Sequence, residues 1–266
     1  MRFACDPHVH TFFSRHAYST LEENLRAASA RGLELIGITE HYSKMLWPED
    51  DPRNFQYYMN FGVWPREVEG VYLCHGAEAD IVDLEGHLFG HGIMVDHHFS
   101  GRALKDPRTL KDIAFKDCDY VIASVHDKTF AKDATQAQVT QAYLGALDDP
   151  QVFILGHIGR TGLDIDVDTI LLHARELGKC IEINEHSLAG DYGRSPERCR
   201  AIAQRCAELG VQVVTSSDAH ISYDVGRFDT VAGLLEEIHF PEELIVTRSR
   251  EAFLDALSHL GDTPRS

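Results

Sequence analysis

Short apolar runs alternate with amphipathic stretches along the chain. RFACD (2–6) reads as a strand, and Ser19 with Glu22 reads as a capping box opening a helix, LEENLRAASARG, that Gly32 ends. LELIGIT (33–39) is the next strand. Residues 42–65 are aromatic, polar and irregular, the pattern of a long loop. GVYLCHGAEADIV (70–82) predicts a strand followed by a bend near 83–86, and 87–118 carries no clear period. Beyond it come the strand DYVIASVH (119–126), a helix over 135–147, the strand VFILGH (152–157) and a helix over 166–177. The strand KCIEINEH (179–186), a helix over 196–210 and the strand VQVVTSSDAH (211–220) follow. Helices near 230–238 and 249–260 close the chain. Strands alternating with helices imply parallel β-α units. There are no repeats, low-complexity tracts or obvious linkers. One α/β barrel using the whole chain, 1–266, explains the pattern better than two domains.

Composition changes this picture little: 44% hydrophobic and 25% charged is ordinary for a globular chain. Charge changes it more. A formal net charge of -17 with no dense Lys/Arg run excludes tight nucleic-acid binding, unless bound cations or a local patch reverse the field. No apolar stretch approaches the roughly 20 residues that cross a bilayer, so no membrane association is expected. The six cysteines form no C-x-x-C pair and mostly sit in apolar runs. They read as reduced thiols in a cytoplasmic protein.

The chemistry lies at the strand ends. The first strand leads into His8 and His10, the second into Glu40 and His41, and the third carries Glu78. Later strands lead into His126, His157, and Asp218 with His220. In a parallel barrel these ends share one face, where active sites are built. Side chains two apart on a strand point the same way, so His8 converges with His10 and Asp218 with His220. His16 can fold back from the loop. Imidazoles and carboxylates together suit Zn, Fe or Mn, and this many exceed what one tetrahedral ion needs. Two or three ions are implied, with Glu78 or Asp218 bridging. His75, His173, His239 and His259 read as ordinary. His87, His91, His97 and His98 form a loose cluster that reads first as a surface loop and second as an adventitious metal site. Glu182, Asn184 and His186 read as supporting or substrate-facing, and Arg160 and Arg227 as surface residues first, with contact to a substrate phosphate as the alternative.

H-V-H (8–10), I-T-E-H (38–41), G-A-E (76–78), S-D-A-H (217–220) and SRHAYST (14–20) together resemble the PHP (polymerase and histidinol phosphatase) superfamily, more closely its bacterial trinuclear-zinc phosphatase subgroup. The resemblance extends to FGVWPREVEGV (61–71) and EIN (182–184). It implies a distorted (β/α)7 barrel holding three divalent ions, zinc first with Mn or Fe as alternatives. The ligands carried over are His8, His10, His16, His41, Glu78, His126, His157, Asp218 and His220. Glu78, Asp218 and His220 would be catalytic. Three features depart from the family: Glu40 where Asp is usual, Ile158 where Pro is frequent, and a longer 87–118 segment.

The implied activity is hydrolysis of a small phosphoester by a metal-bridged hydroxide, with Asp127, His186 or a metal-bound water as candidate proton donor. A homo-oligomer is compatible with such a chain. Four rivals stand beside it. A metal-dependent amidohydrolase also begins with H-x-H, but no suitable strand-end Lys is present. A PHP-type nuclease fits the superfamily but not the charge. A histidinol phosphatase belongs to its other branch. A non-catalytic metal scaffold would be expected to have lost ligands.

Overall fold

The computed structural model describes residues 1–44, 52–98, 100–190 and 193–260. In chain order the elements are β1 (Cys5–Val9), α1 (Leu21–Ala30), β2 (Leu35–Tyr42), a 3-10 run (Pro52–Val63), β3 (Glu67–Val68), β4 (Val71–Asp80), β5 (Met94–His97), β6 (Ala103–Thr109), α2 (Leu110–Phe115) and β7 (Tyr120–Ser124). They continue with α3 (Gln136–Asp148), β8 (Val152–Leu155), α4 (Ile158–Thr161), α5 (Val167–Glu176), β9 (Cys180–Asn184), α6 (Glu185–Ala189), α7 (Ser195–Leu209), β10 (Val213–Ser216), α8 (Asp229–Glu237) and α9 (Arg250–Ser258). Seven strands pair in parallel in the order β1-β2-β4-β7-β8-β9-β10. A parallel bridge between Val9 and Ala219 brings the first strand to the segment after the last, nearly closing the ring. This is the expected distorted (β/α)7 barrel.

Burial on both faces explains the apolar strands. All of YVIAS in β7 and all of VFIL in β8 is buried, as parallel strands under helices require. Packed at the starts of the strands, Cys5, Leu35, Tyr120, Phe153 and Cys180 cluster with Phe253 and Ala256 of α9. Tyr120, Phe153 and Phe253 meet edge to face. The N-terminal end of the barrel is therefore plugged, which leaves the other end for chemistry.

Several boundaries differ from expectation. The first capping box is Thr20 with Glu23, one residue later than Ser19 with Glu22. Thr20 has the extended backbone that lets its hydroxyl reach the N–H of Glu23 (3.2 Å), whereas Ser19 Oγ accepts the N–H of Ser222 (2.8 Å). The expected loop over 42–65 contains a 3-10 run, whose Phe55, Tyr58 and Phe61 are fully buried; 45–51 lies outside the described residues. The unassigned 87–118 stretch forms an antiparallel pair, β5-β6, apart from the barrel, and α2. Strand β9 stops at Asn184, whose side chain caps α6, so His186 stands on a helix. Strand β10 stops at Ser216, and Asp218 follows in a left-handed conformation (φ 55°).

Candidate active site

Each predicted ligand reaches the C-terminal mouth of the barrel. His8 is on β1 with His10 just beyond it, His41 is on β2 and Glu78 on β4. Parallel register places His41 directly beside Glu78. His126, His157, Asp218 and His220 follow β7, β8 and β10. His16 arrives from the loop after β1, with its Nε2 2.9 Å from that of His220. Asp218 and His220 converge, but through the left-handed turn at Asp218 rather than by strand alternation. His157 is likewise left-handed (φ 29°). Non-glycine residues held there by their surroundings cluster at functional sites.

Glu78 is the hub. Its carboxylate lies 2.7 Å from His157, 2.8 Å from His41, 3.3 Å from His8, 3.4 Å from His126 and 3.5 Å from His10. Asp218 lies 3.3 Å from His10 and 3.5 Å from His8. Burial opposes ionisation of Glu78, but His126, His41 and His8 outweigh it and hold the carboxyl well below the usual range. Burial, then His41 and His220, keeps His10 far below an ordinary histidine; the same causes bring His16 down to about 4. These two imidazoles are held neutral, the form that ligates metal, whereas at His8 and His126 burial is outweighed by the carboxylates, which favour the proton, His126 rising to about 9, so an ion there would displace a proton.

The outer nitrogens explain the ring orientations. His8 Nδ1 lies 2.6 Å from Glu182 and His126 Nδ1 2.6 Å from Asp80. His220 Nδ1 lies 3.0 Å from the Asp218 carbonyl. An ionised carboxylate or a carbonyl only accepts, so each of these nitrogens carries the proton. Ser14 donates to Glu40 (2.5 Å), so its oxygen accepts from His10 Nδ1 (3.0 Å) and from the N–H of His41 (3.0 Å). Four Nε2 lone pairs are thereby turned inward. Facing pairs result: His8 with His10 at 3.1 Å and His41 with His220 at 3.4 Å. His157 Nδ1 is buried and without a hydrogen bond. Lone pairs converging on one another and on carboxylates repel unless a cation lies among them. The donor set therefore fits divalent metal. Three overlapping triads have ligand atoms within 4.8 Å of one another: His8, His10, Glu78; His10, His41, His220; and His41, Glu78, His126.

Of the supporting residues, Glu182 and Asn184 were expected and others were not. Glu182 is buried and accepts from His8, from the N–H of His157 (2.6 Å) and from Ser216 Oγ (2.5 Å). Asn184 donates to Asp218 (3.3 Å), while His186 stands 6.1 Å ring to ring from His220. Arg160 is not a surface residue: it pairs with Asp218 at 2.5 Å and donates to Asn184 and Ser187. Its place on α4, packed against α7, brings it inward. Arg227 does pair at the surface, with Asp224. Asp80 and Ser14 were not singled out beforehand; the i+2 spacing of Asp80 from Glu78 was the available signal for the first. Glu40 does not face the cluster. It accepts from Thr11 and Ser14, and burial raises its carboxyl to about 7. Asp127 accepts from the N–H of Thr129 (2.9 Å) and from its hydroxyl, the contacts of a turn.

Comparison with known proteins bears on the family and the fold. A probable phosphatase of Caldanaerobacter subterraneus subsp. tengcongensis is 38% identical over 94% of this chain and 89% of its own. A probable phosphatase of Clostridium botulinum is 34% identical over 98% and 97%. The crystal structure of histidinol phosphate phosphatase from Lactococcus lactis, complexed with zinc, L-histidinol and phosphate, is 17% identical with a TM-score of 0.56. It covers 91% of this chain and 95% of its own, a likeness of fold. The model of the PHP domain matches residues 6–186, more than half of the chain, and the chain belongs to the PHP domain family.

Proposed function

We propose that this protein is a metal-dependent phosphoesterase acting on a small phosphorylated substrate through a three-ion cluster. The ions, zinc first, would be held by His8, His10, His16, His41, Glu78, His126, His157, Asp218 and His220. The inward-turned imidazole lone pairs around Glu78 and Asp218 carry this reading. Bound there, divalent ions generate a nucleophile at neutral pH and neutralise phosphoryl oxygens. Glu182, Asp80 and Ser14 fix the tautomers that make this binding work. Arg160 holds one oxygen of Asp218, leaving the other toward His8 and His10. His220 and His16 form the solvent side of the cluster, so substrate enters past them. We assign proton delivery to His186, which stands at that mouth, rather than to Asp127, which is committed to its turn. The curated relatives, named as probable phosphatases, support phosphoester over amide chemistry. Six free cysteines, five of them buried, support a reducing cytoplasmic setting. Among the described residues no helix is long and apolar enough to cross a membrane.

The test is phosphate release from p-nitrophenyl phosphate by chelator-stripped protein reloaded with Zn, Mn or Fe. Turnover returns with metal, and His10→Ala and Asp218→Ala abolish it while remaining folded. Hydrolysis of an amide or lactone without any of a phosphoester would overturn the proposal in favour of an amidohydrolase.

A further inference from the structure

Outside the barrel mouth, the bend after β4 gathers Asp83, His87 and His91. The bend is rigid. Ile81 bridges Leu88, the N–H of Val82 donates to the His87 carbonyl (2.9 Å), and Gly86 (φ 87°) is packed against the backbone of α3. One oxygen of Asp83, Oδ1, is held by the N–H groups of Glu85 (3.1 Å) and His87 (3.0 Å). The other, Oδ2, accepts from His87 Nδ1 (2.9 Å), a proton that a bound cation would displace, and lies 3.8 Å from His91 Nε2. His91 Nδ1 faces the Leu88 carbonyl at 3.2 Å and so carries the proton, which leaves the Nε2 lone pair aimed at a carboxylate. All three ligand atoms lie within 4.8 Å of one another, and the triad shares no residue with the buried cluster.

We propose that Asp83, His87 and His91 form a separate surface site for a borderline divalent cation, Zn(II) in the first instance. A tetrahedral zinc with bonds of about 2.1 Å spaces its ligands roughly 3.4 Å apart. The distances of 2.9 and 3.8 Å bracket that value, so small side-chain rotations bring the atoms into place. Two imidazoles and a carboxylate are a zinc donor set, and the tie from His91 to Leu88 is the outer contact that orients a ligating histidine. The side chains are partly open to solvent, 53% for His87, 38% for His91 and 29% for Asp83. Water can therefore complete the coordination, and the site binds more weakly than the enclosed cluster. His91, Gly92 and Ile93 also wall a cavity of about 530 Å³ that Asp80 helps to line. An ion at the bend stiffens that wall.

The test is the metal content of the full chain after equilibrium dialysis in buffered Zn(II), read by plasma mass spectrometry. Wild type holds one equivalent more than His87→Ala/His91→Ala and one more than Asp83→Asn. The asparagine still accepts from the two backbone N–H groups, so the bend survives even if the histidine variant misfolds. His97→Ala, a nearby exposed histidine, keeps the wild-type content. Equal content in wild type and Asp83→Asn, or the same loss in His97→Ala, would overturn the site.

Discussion

Glu182→Gln isolates what the carboxylate behind the cluster does. Every group that touches Glu182 is a donor: His8 Nδ1 and Ser216 Oγ at one oxygen, the N–H of His157 at the other. Glutamine keeps the shape but turns one oxygen into an NH2. If that group replaces Oε2, it faces the backbone N–H of His157 at 2.6 Å, donor against donor. If it replaces Oε1, it faces His8 Nδ1, and His8 relieves the conflict by moving its proton to Nε2. That proton then occupies the lone pair aimed at His10. A hydrogen bond to a charged group is worth about 1.5–3 kcal/mol, and an outer contact to a ligating histidine typically sets 10–100-fold in metal affinity. We therefore expect zinc affinity to fall 10–100-fold, about 1.4–2.7 kcal/mol. A chromophoric chelator competing for Zn(II) measures it, and thermal melting of the metal-free proteins checks folding. Turnover at saturating zinc recovers in part, because the ligands remain. A zinc affinity within twofold of wild type would refute the tautomer-locking argument.

Two further outcomes test packing and titration. A Cβ on Gly145 of α3 would stand 1.9 Å from the Glu85 carbonyl oxygen, a backbone atom in the rigid bend. Overpacking of about 1–3 kcal/mol then outweighs the roughly 1 kcal/mol helix preference of alanine, so Gly145→Ala lowers the urea midpoint; an unchanged or raised midpoint contradicts the contact. His75 packs against Phe61 and Trp64, and burial, aided by Arg66, lowers it to about 4. The unfolded chain binds its proton near pH 6.5 and the folded chain only near 4, so this stability is present above pH 6.5 and is lost as pH falls through that window. His75→Leu should flatten the difference in denaturation midpoint between pH 7.5 and 5, and an unchanged slope would place the acid lability elsewhere.

The barrel and the convergence of the nine predicted residues at its mouth were legible because both rest on strand ends. A buried apolar run marks its own end, and a polar side chain there must have a reason. The supporting residues were less legible. Ser14 is one serine among many until the fold brings His10, His41 and Glu40 to its oxygen. Arg160 looks like a surface cation until α7 packs against α4 and turns it toward Asp218. The 87–118 stretch lacked a period because β6 is largely exposed and β5 buries only Val95, and strands with so little core face have almost nothing to alternate against. The one-residue error at α1 arose because Ser19 and Thr20 are both good caps, and only the contact from Ser222 to Ser19 distinguishes them.

The seam where the barrel closes joins residues that synthesis separates widely. Asp6 accepts from Ser217, 211 positions away, and from Gly226, while the N–H of His10 donates to the Ala219 carbonyl (2.9 Å). Asp218 and His220 sit in this seam, so a chain still emerging from the ribosome lacks two of the proposed ligands until residues 218 and 220 are made. Loop closure over that length is entropically costly and comes late. Metal capture would then reward completion of the ring over its partly assembled precursors, and an ion caught early by β1 and β2 alone would have only His8, His10, His16 and His41 to hold it.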